Sequence, residues 1–373
     1  MELWQEFLAS AIRTPAQLRR YFPEIDVAAL ERVAEVYPMC VTPYYLGLVQ
    51  RIDDPIARQC IPDPVELDSF GLVADPLAEE SMSPVPCVVH RYPDRALFLV
   101  SSQCAMYCRF CTRKRKVGTD WAITDELRRE GLAYIARTPE IRDVVVSGGD
   151  PLMLSDGLIE GVLSGLRRIP HVEVIRLGTR TPCTLPQRIT PRLVRMLRKY
   201  HPLYVNTHFE HPRELTPDAV RALTRLADAG IPLGNQSVLL RGVNDDPAVF
   251  LELNRRLLSA RVKPYYMFQA DLVDGTAHFC TPIETGLDVI RGLRGHTSGM
   301  AVPHFVIDSP GGGGKIPILP QEYVRREGRQ LILRNYRGQI HLYSDRTAEP
   351  NPCEEIAGMP DLIEAFEPLA AIG

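Results

Sequence analysis

The chain has 373 residues and a formal net charge of -3, with 45% hydrophobic and 24% charged residues. These are ordinary globular values, and they argue against a disordered or fibrous chain and against a general field for nucleic acid. The length suits one large α/β barrel with appendages, or two average domains.

The opening Met1-Glu2-Leu3-Trp4-Gln5-Glu6 lacks the basic start and apolar core of a secretory signal, and no apolar run reaches the roughly eighteen residues of a membrane span. The expected location is therefore the cytoplasm, with no membrane partner. Nine cysteines in such a chain read as reduced thiols and metal ligands rather than disulfides. Cys40, Cys60, Cys87, Cys183, Cys280 and Cys353 are scattered and read as small apolar fillers.

In chain order, residues 1–62 read as helical. Leu3, Phe7, Leu8 and Ile12 recur at helical spacing, Thr14-Pro15 caps a second segment, Val27, Leu30, Val33 and Val36 mark a third, and Pro43-Tyr44-Tyr45 opens a short fourth. No catalytic constellation falls here, so the expectation is a packing or subunit-joining extension. From 63 to 90 the chain is a connector broken by Pro64, Pro76, Pro84 and Pro86. A polar cluster, His90-Arg91-Tyr92-Pro93-Asp94-Arg95, then precedes the apolar run Ala96-Leu97-Phe98-Leu99-Val100, which reads as a buried strand.

Further strand-like runs fall at 143–147, 173–178, 203–208, 231–239 and 262–268. Amphipathic helical segments lie near 124–136, 156–168, 191–200, 216–229 and 247–260, and one more near 284–295. Strands alternating with helices predict a parallel sheet, and six such units without reversal predict an α/β fold with a partial (β/α)6 TIM-like barrel. The expected division is 1–90 for the helical region and connector, 91–300 for the barrel and 301–373 for a C-terminal segment. That last segment holds a strand at Val302-Pro303-His304-Phe305-Val306-Ile307, a glycine run, a hairpin across Leu331 to Tyr343 and a mildly acidic tail from Pro350.

Functional residues of such a barrel sit at the C-terminal ends of its strands. Polar residues fall there repeatedly. Cys104 to Cys111 follow the first strand, Ser147-Gly148-Gly149-Asp150 the second, Gly178-Thr179-Arg180 the third and Asn206-Thr207-His208 the fourth; Gln236-Ser237 lies in the fifth, and Asp271 follows the sixth.

The stretch Cys104-Ala105-Met106-Tyr107-Cys108-Arg109-Phe110-Cys111 gathers three thiols into eight residues. Close, fixed spacing is a metal signal, and a four-iron cluster held by three thiolates keeps one iron open. Structural zinc or chance clustering are the alternatives. Two glycines after a strand ordinarily mark a tight turn. The run Arg113-Lys114-Arg115-Lys116 is a phosphate- or RNA-binding patch or, the preferred reading, a solvated or site-lining loop. Lys315, after four glycines, suggests a phosphate cradle, but no helix-like stretch and no Ser or Thr follows it. A lysine that condenses with an aldehyde, or a surface lysine in an open loop, remains. Arg91 and Arg95, with Tyr92 between them, suit a phosphate and an aromatic ring, or simply a surface salt-bridge group.

The thiol spacing with Phe110 before the last cysteine resembles the radical S-adenosylmethionine enzymes. Asp308-Ser309-Pro310-Gly311-Gly312-Gly313-Gly314-Lys315 resembles the pyridoxal phosphate lysine segment of the lysine 2,3-aminomutase family. The resemblance runs from about residue 40 to 345 and includes Leu185-Pro186-Gln187-Arg188-Ile189-Thr190, Pro232-Leu233-Gly234-Asn235-Gln236-Ser237 and Gly292-Leu293-Arg294-Gly295-His296-Thr297-Ser298-Gly299. It implies an isomerase with a 4Fe-4S cluster on Cys104, Cys108 and Cys111. It places S-adenosylmethionine on the open iron against Ser147, Gly148, Gly149, Asp150, His208 and Gln236, with Asp150 complementing its ammonium. Pyridoxal 5'-phosphate is then joined to Lys315 and held by Arg91, Tyr92 and Arg95.

The implied reaction cleaves S-adenosylmethionine to a 5′-deoxyadenosyl radical that takes hydrogen from the β-carbon of an amino acid held on pyridoxal phosphate. The α-amino group then moves to that carbon. Arg113 is implied for the substrate carboxylate, and Asp271 and Asp308 for a distal ammonium. Two converging carboxylates would repel unless a cation lay between them, which favours a basic amino acid: lysine first, arginine or another as the alternative. A radical enzyme modifying a macromolecule is the second alternative. A low-potential electron donor and a homo-oligomer are further implied partners; no nucleic acid is expected. Where some members carry a cysteine after Val243-Asn244-Asp245 this chain has Asp246, and the cysteine-rich tail is reduced to Cys353, so no structural zinc is expected.

Overall fold

The computed structural model describes residues 2–344, apart from 69, 70, 321, 328 and 329. The expected acidic tail and Cys353 lie outside the described residues. Two compact units divide the chain, Met1–Leu319 and Pro320–Gly373. Among the described residues no helix is long and apolar enough to cross a membrane.

The first unit is built on one sheet of nine strands in sequence order. They are β1 (Val88–Tyr92), β2 (Arg95–Ser101), β3 (Asp143–Gly148), β4 (Val174–Gly178), β5 (Leu203–Thr207), β6 (Leu233–Leu239), β7 (Val262–Gln269), β8 (His304–Ser309) and β9 (Gly314–Pro317). From β2 to β8 every neighbour is parallel, while β1 and β9 run antiparallel at the two edges. This is the expected partial barrel, and β8 and β9 continue its sheet instead of standing apart. The second unit's described part is a separate antiparallel sheet of β10 (Tyr323–Glu327), β11 (Gln330–Arg334) and β12 (Ile340–Ser344), which contains the expected hairpin.

The edge strand β1 differs from the sequence reading. Residues 88–92, expected to split between connector and polar cluster, form β1 and fold back on β2 through Pro93-Asp94. Val88 and Val89 are buried against the sheet, whereas His90, Arg91 and Tyr92 are only half-buried. A strand this short, polar at one end, leaves no periodic trace.

The crossover helices follow local rules. In Pro217–Asp228, Thr216 accepts the Ala219 N–H as N-cap and Pro217 opens the first turn, while Ala219, Ala222, Leu223 and Leu226 recur at helical spacing and are buried. That face joins a core that includes Phe98, Val146, Leu177 and Val205 of the sheet. On β3, Val144, Val146 and Gly148 are buried while Asp143, Val145 and Ser147 are half-buried; on β6, Gly234, Gln236 and Val238 are the half-buried set. The period of two thus gives one face to the helices and one to an open barrel interior.

The thiol loop after β2 has no regular structure and is anchored from several sides. Gly149 N–H donates to Ser101 O at 2.7 Å and Asp150 N–H to Gln103 O at 2.6 Å. A Cβ on Gly148, whose φ is +138°, would lie 2.1 Å from Ser101 O, so the glycines let two backbones touch. Tyr107 N–H donates to Cys40 O and Arg109 N–H to Gln59 O, both at 2.9 Å. The N-terminal extension therefore holds the thiol loop as well as packing.

The strongest anchor is ionic. Glu66, Arg109 and Lys114 are 1%, 1% and 6% exposed. Glu66 accepts from Arg109 Nε at 2.9 Å, Arg109 Nη2 at 2.5 Å and Lys114 Nζ at 2.5 Å. Arg109 also donates to Pro38 O and Tyr37 O, and Lys114 to Gly275 O. Burial raises the Glu66 carboxyl, but Arg109 and Lys114 outweigh it and hold its pKa below the usual value. Burial, resisted by Glu66, pulls Lys114 down to about 8.

Glu66→Ala would strand two buried cations, so a loss of about 3–5 kcal/mol is expected in urea unfolding. The Glu66 contribution is present above the ordinary carboxylate range and is lost as pH falls through its lowered pKa. An acid unfolding limb that shifts in Glu66→Gln checks this.

Candidate active site

The strand ends open onto one mouth. Cys104, Cys108 and Cys111 occupy the loop after β2, and all three residues are half-buried. Burial pushes the Cys104 thiol well up, with Asp150, Cys111 and Cys108 adding to the shift. Burial, then Cys108, raises Cys111 to about 11. Burial also raises Cys108, against the pull of Arg180, whose Nη1 donates to its sulfur at 2.9 Å. The thiols thus share one field. Among the described residues no group of three or more His, Cys, Asp or Glu side chains is drawn together closely enough to hold a single metal ion. The donor set is one of soft sulfur ligands beside a fixed guanidinium, which suits an iron–sulfur cluster better than an ion held by hard oxygens.

Arg180 was not singled out from sequence, although its position at the end of β4 was the available signal. It also donates from Nη2 to Gln59 Oε1 at 2.5 Å and Glu214 Oε1 at 2.9 Å, and its guanidinium lies 5.1 Å from the Phe110 ring centroid. This partnering fixes a positive charge against the thiol loop.

Asp150 stands beside Cys104 but its carboxylate is already filled. It accepts from Leu152 N at 3.0 Å, Arg180 N at 2.8 Å, Thr181 N at 3.0 Å and Thr179 Oγ1 at 2.7 Å. These bonds give it a local role: it ties the β3 turn to the β4 turn. Ser147 and Gln236 lie on the interior face of β3 and β6. His208 follows β5, 31% exposed, with Nδ1 at 3.7 Å from Glu210 Oε1.

On the far edge, Asp308 of β8 and Lys315 of β9 are register partners in an antiparallel pair. Lys315 Nζ lies 2.9 Å from Asp308 Oδ2, and Arg91 Nη1 donates to Asp308 Oδ1 at 2.7 Å. Lys315 N–H donates to Tyr92 Oη at 2.8 Å, and the ammonium sits 5.3 Å from the Phe268 ring centroid. Gly314 has φ +84°, and a Cβ there would lie 2.9 Å from Tyr92 Oη, so only glycine admits that tyrosine.

Arg91 also donates to Leu77 O at 2.9 Å, while its buried Nε has no partner. A buried unpaired guanidinium N–H is costly, and an anion beside Lys315 would satisfy it. That fits a phosphate. Arg95 is further out, pairing with Asp94 and lying 4.6 Å over the Tyr92 ring, so one face of that ring is already covered.

Asp271 bridges the two halves. It accepts from Thr112 Oγ1 at 2.6 Å, one residue beyond Cys111. Burial pushes its carboxyl up to about 6, opposed by the Thr112 hydrogen bond and Lys315 and reinforced by Asp308 and Glu79. Arg113 is raised because Glu79 outweighs its desolvation, with Cys111 and Asp271 also contributing. The thiols, Arg113, Asp271, Asp308 and Lys315 thus form one electrostatically connected rim. Glu79, which chelates Arg113, was not expected, since it falls in the proline-rich connector and has no motif.

Where some relatives were expected to carry a cysteine, Asp246 caps the helix Pro247–Ser259, accepting from Ala248 N at 2.7 Å.

Comparison with known proteins gives the assignment. The model of the radical SAM superfamily matches residues 98–253, and that described as lysine-2,3-aminomutase matches 290–361. The chain is 48% identical to L-lysine 2,3-aminomutase of Clostridium subterminale over 92% of its length and 84% of that protein's. It is 44% identical to the Bacillus subtilis enzyme of the same name, over 92% and 74%. It is also 46% identical to glutamate 2,3-aminomutase of Clostridioides difficile, over 86% and 76%. Identity at that level, sustained over about nine-tenths of the chain, means that the chain belongs to the lysine 2,3-aminomutase family of radical S-adenosylmethionine isomerases.

Proposed function

We propose that this isomerase moves the α-amino group of a basic L-amino acid, L-lysine first, to the β-carbon. Global similarity does not choose the substrate, since lysine and glutamate enzymes are about equally similar to this chain. The observation that carries the choice is a pair of carboxylates: Asp308, which loses its Lys315 Nζ partner at 2.9 Å once that lysine is condensed with the cofactor aldehyde, and Asp271, electrostatically coupled to it. A pocket that presents two carboxylates favours a cation and repels a distal carboxylate.

When bound, the reduced cluster and S-adenosylmethionine supply a hydrogen-abstracting radical, and pyridoxal phosphate carries the migrating amine. The chain's own residues do the rest. Cys104, Cys108 and Cys111 hold iron, with Arg180 fixing positive charge at Cys108. Ser147, Gly148, Gly149, His208 and Gln236 border S-adenosylmethionine, and Asp150 acts through the backbone it ties. Lys315 anchors the aldehyde, the free Nε of Arg91 takes a phosphate oxygen, and Tyr92 fixes the strand by its bond to Lys315 N–H. Arg95 is assigned to the outer rim of that phosphate. Arg113 orients the substrate carboxylate, and Asp271 and Asp308 hold its distal ammonium. Water exclusion at this mouth keeps a carbon radical on its intended partner. A low-potential electron donor would reduce the cluster before turnover, and exposed Leu342 and Tyr343 on β12 support association of like chains in the cytoplasm.

An anaerobic panel of lysine, arginine, ornithine and glutamate tests the substrate. Lysine should give the highest kcat/KM, and glutamate as best substrate would refute the assignment. Because protonation of Asp271 removes its charge, kcat/KM for lysine should fall about tenfold per unit as pH drops below about 6, and Asp271→Asn should erase that limb. Borohydride reduction of the pyridoxal-loaded enzyme should fix the cofactor on the peptide containing Lys315, read by mass spectrometry, and Lys315→Ala should abolish the label.

A further inference from the structure

The proline-rich connector does more than lead into the barrel. Val73 bridges to Val273 after β7, and Pro76 O accepts from Gly311 N at 2.8 Å in the glycine loop. Leu77 O accepts from Arg91 Nη2 at 2.9 Å, and Met82 O from His90 N at 2.9 Å on β1. One strap therefore touches the β7 loop, the lysine loop and the β1 edge. At its centre Ala78 adopts φ +53°, a left-handed conformation unfavourable for alanine, and the next residue is Glu79.

Glu79 is 4% exposed, and its carboxylate grips Arg113 by one edge, accepting from Nε at 2.9 Å and from Nη2 at 2.5 Å. Arg115 Nη2 lies 3.8 Å from the same carboxylate. A guanidinium offers five N–H donors in a rigid plane, so a carboxylate on the Nε edge leaves the Nη1 side to receive a second one. Arg115 pairs more closely with Asp75 at 3.1 Å and Glu80 at 3.2 Å, so Arg113 is the cation that Glu79 and an incoming carboxylate would share.

We propose that Glu79 is a positioning residue for substrate selection, turning the Nη1 side of Arg113 toward the chamber so that it captures the α-carboxylate of the amino acid. This rests on the reading of Arg113 as the carboxylate ligand. Glu79 touches no reacting atom; it sets the plane of the group that does. The strap that carries it also sets the height of the lysine loop through Pro76 and Leu77, so carboxylate capture and cofactor placement share one support.

The test compares L-lysine with 1,5-diaminopentane, which is lysine without its carboxylate, on the reconstituted holoenzyme. In Glu79→Gln the KM for lysine should rise roughly tenfold or more, with kcat changed far less, while the inhibition constant of the diamine stays within about twofold of the parent. Equal weakening of both ligands would mean a merely structural role, and a lower lysine KM would mean that Glu79 competes with substrate; either overturns the proposal. If Glu79→Gln does not fold, Glu79→Asp, whose shorter carboxylate reaches only one donor, gives the same comparison. Arg113→Lys separates the two layers: an unchanged lysine KM there refutes the role of Arg113 itself, whereas a raised KM there with an unaffected Glu79 variant refutes only the inference.

Discussion

A single buried carboxylate, Glu66, holds the part of the molecule on which the chemistry depends. The thiol loop has neither helix nor strand to fix it, and iron ligands must be placed to within a fraction of an ångström. Arg109 and Lys114 lie on either side of Cys111 in sequence, and both turn back onto Glu66. Ion pairs of this kind are weak evidence for net stability, because desolvation offsets much of the attraction. Their value is directional: a cation with one satisfactory partner has one satisfactory position.

The mouth itself is a balance of opposed charges. Asp308 lies between Arg91 and Lys315, burial raises the Asp271 carboxyl, and Arg113 is paired with Glu79. None of these groups is solvated as it would be in water, so each interaction is stronger than a surface pair and each unpaired atom costs more. The free Nε of Arg91 shows where that balance is incomplete and where an anion would be stabilising. Substrate selection in this family then becomes a matter of which charges remain unpaired once the cofactors are seated, a property of a few side chains that whole-chain similarity averages away.

The second unit, with its own small sheet, carries none of the proposed site residues. The strand β9 ends just before the division at Leu319, so Lys315, the residue proposed to bear pyridoxal, belongs to the barrel sheet. The cofactor lysine is thereby registered by backbone hydrogen bonds to β8 instead of sitting on a free loop, which gives an otherwise flexible side chain a defined origin.

The sequence by itself determined the alternation of strands and helices, most element boundaries, the thiol spacing and the lysine loop, because each is written within ten or so neighbouring residues as a period, a cap or a run of glycine. It marked the strand ends as functional, and Arg113, Asp271, Asp308 and Lys315 do converge on one rim. Tertiary structure alone decided where side chains point. Asp150 turns to three backbone N–H groups because β3 and β4 turns meet there, and Arg180 reaches Cys108 across the mouth. Glu79 and Glu66, in a connector without periodicity, matter only because residues 34 and 43 positions later fold back onto them. Local pattern reports what a segment becomes, whereas the direction of a buried charge depends on partners brought near by the register of the whole sheet.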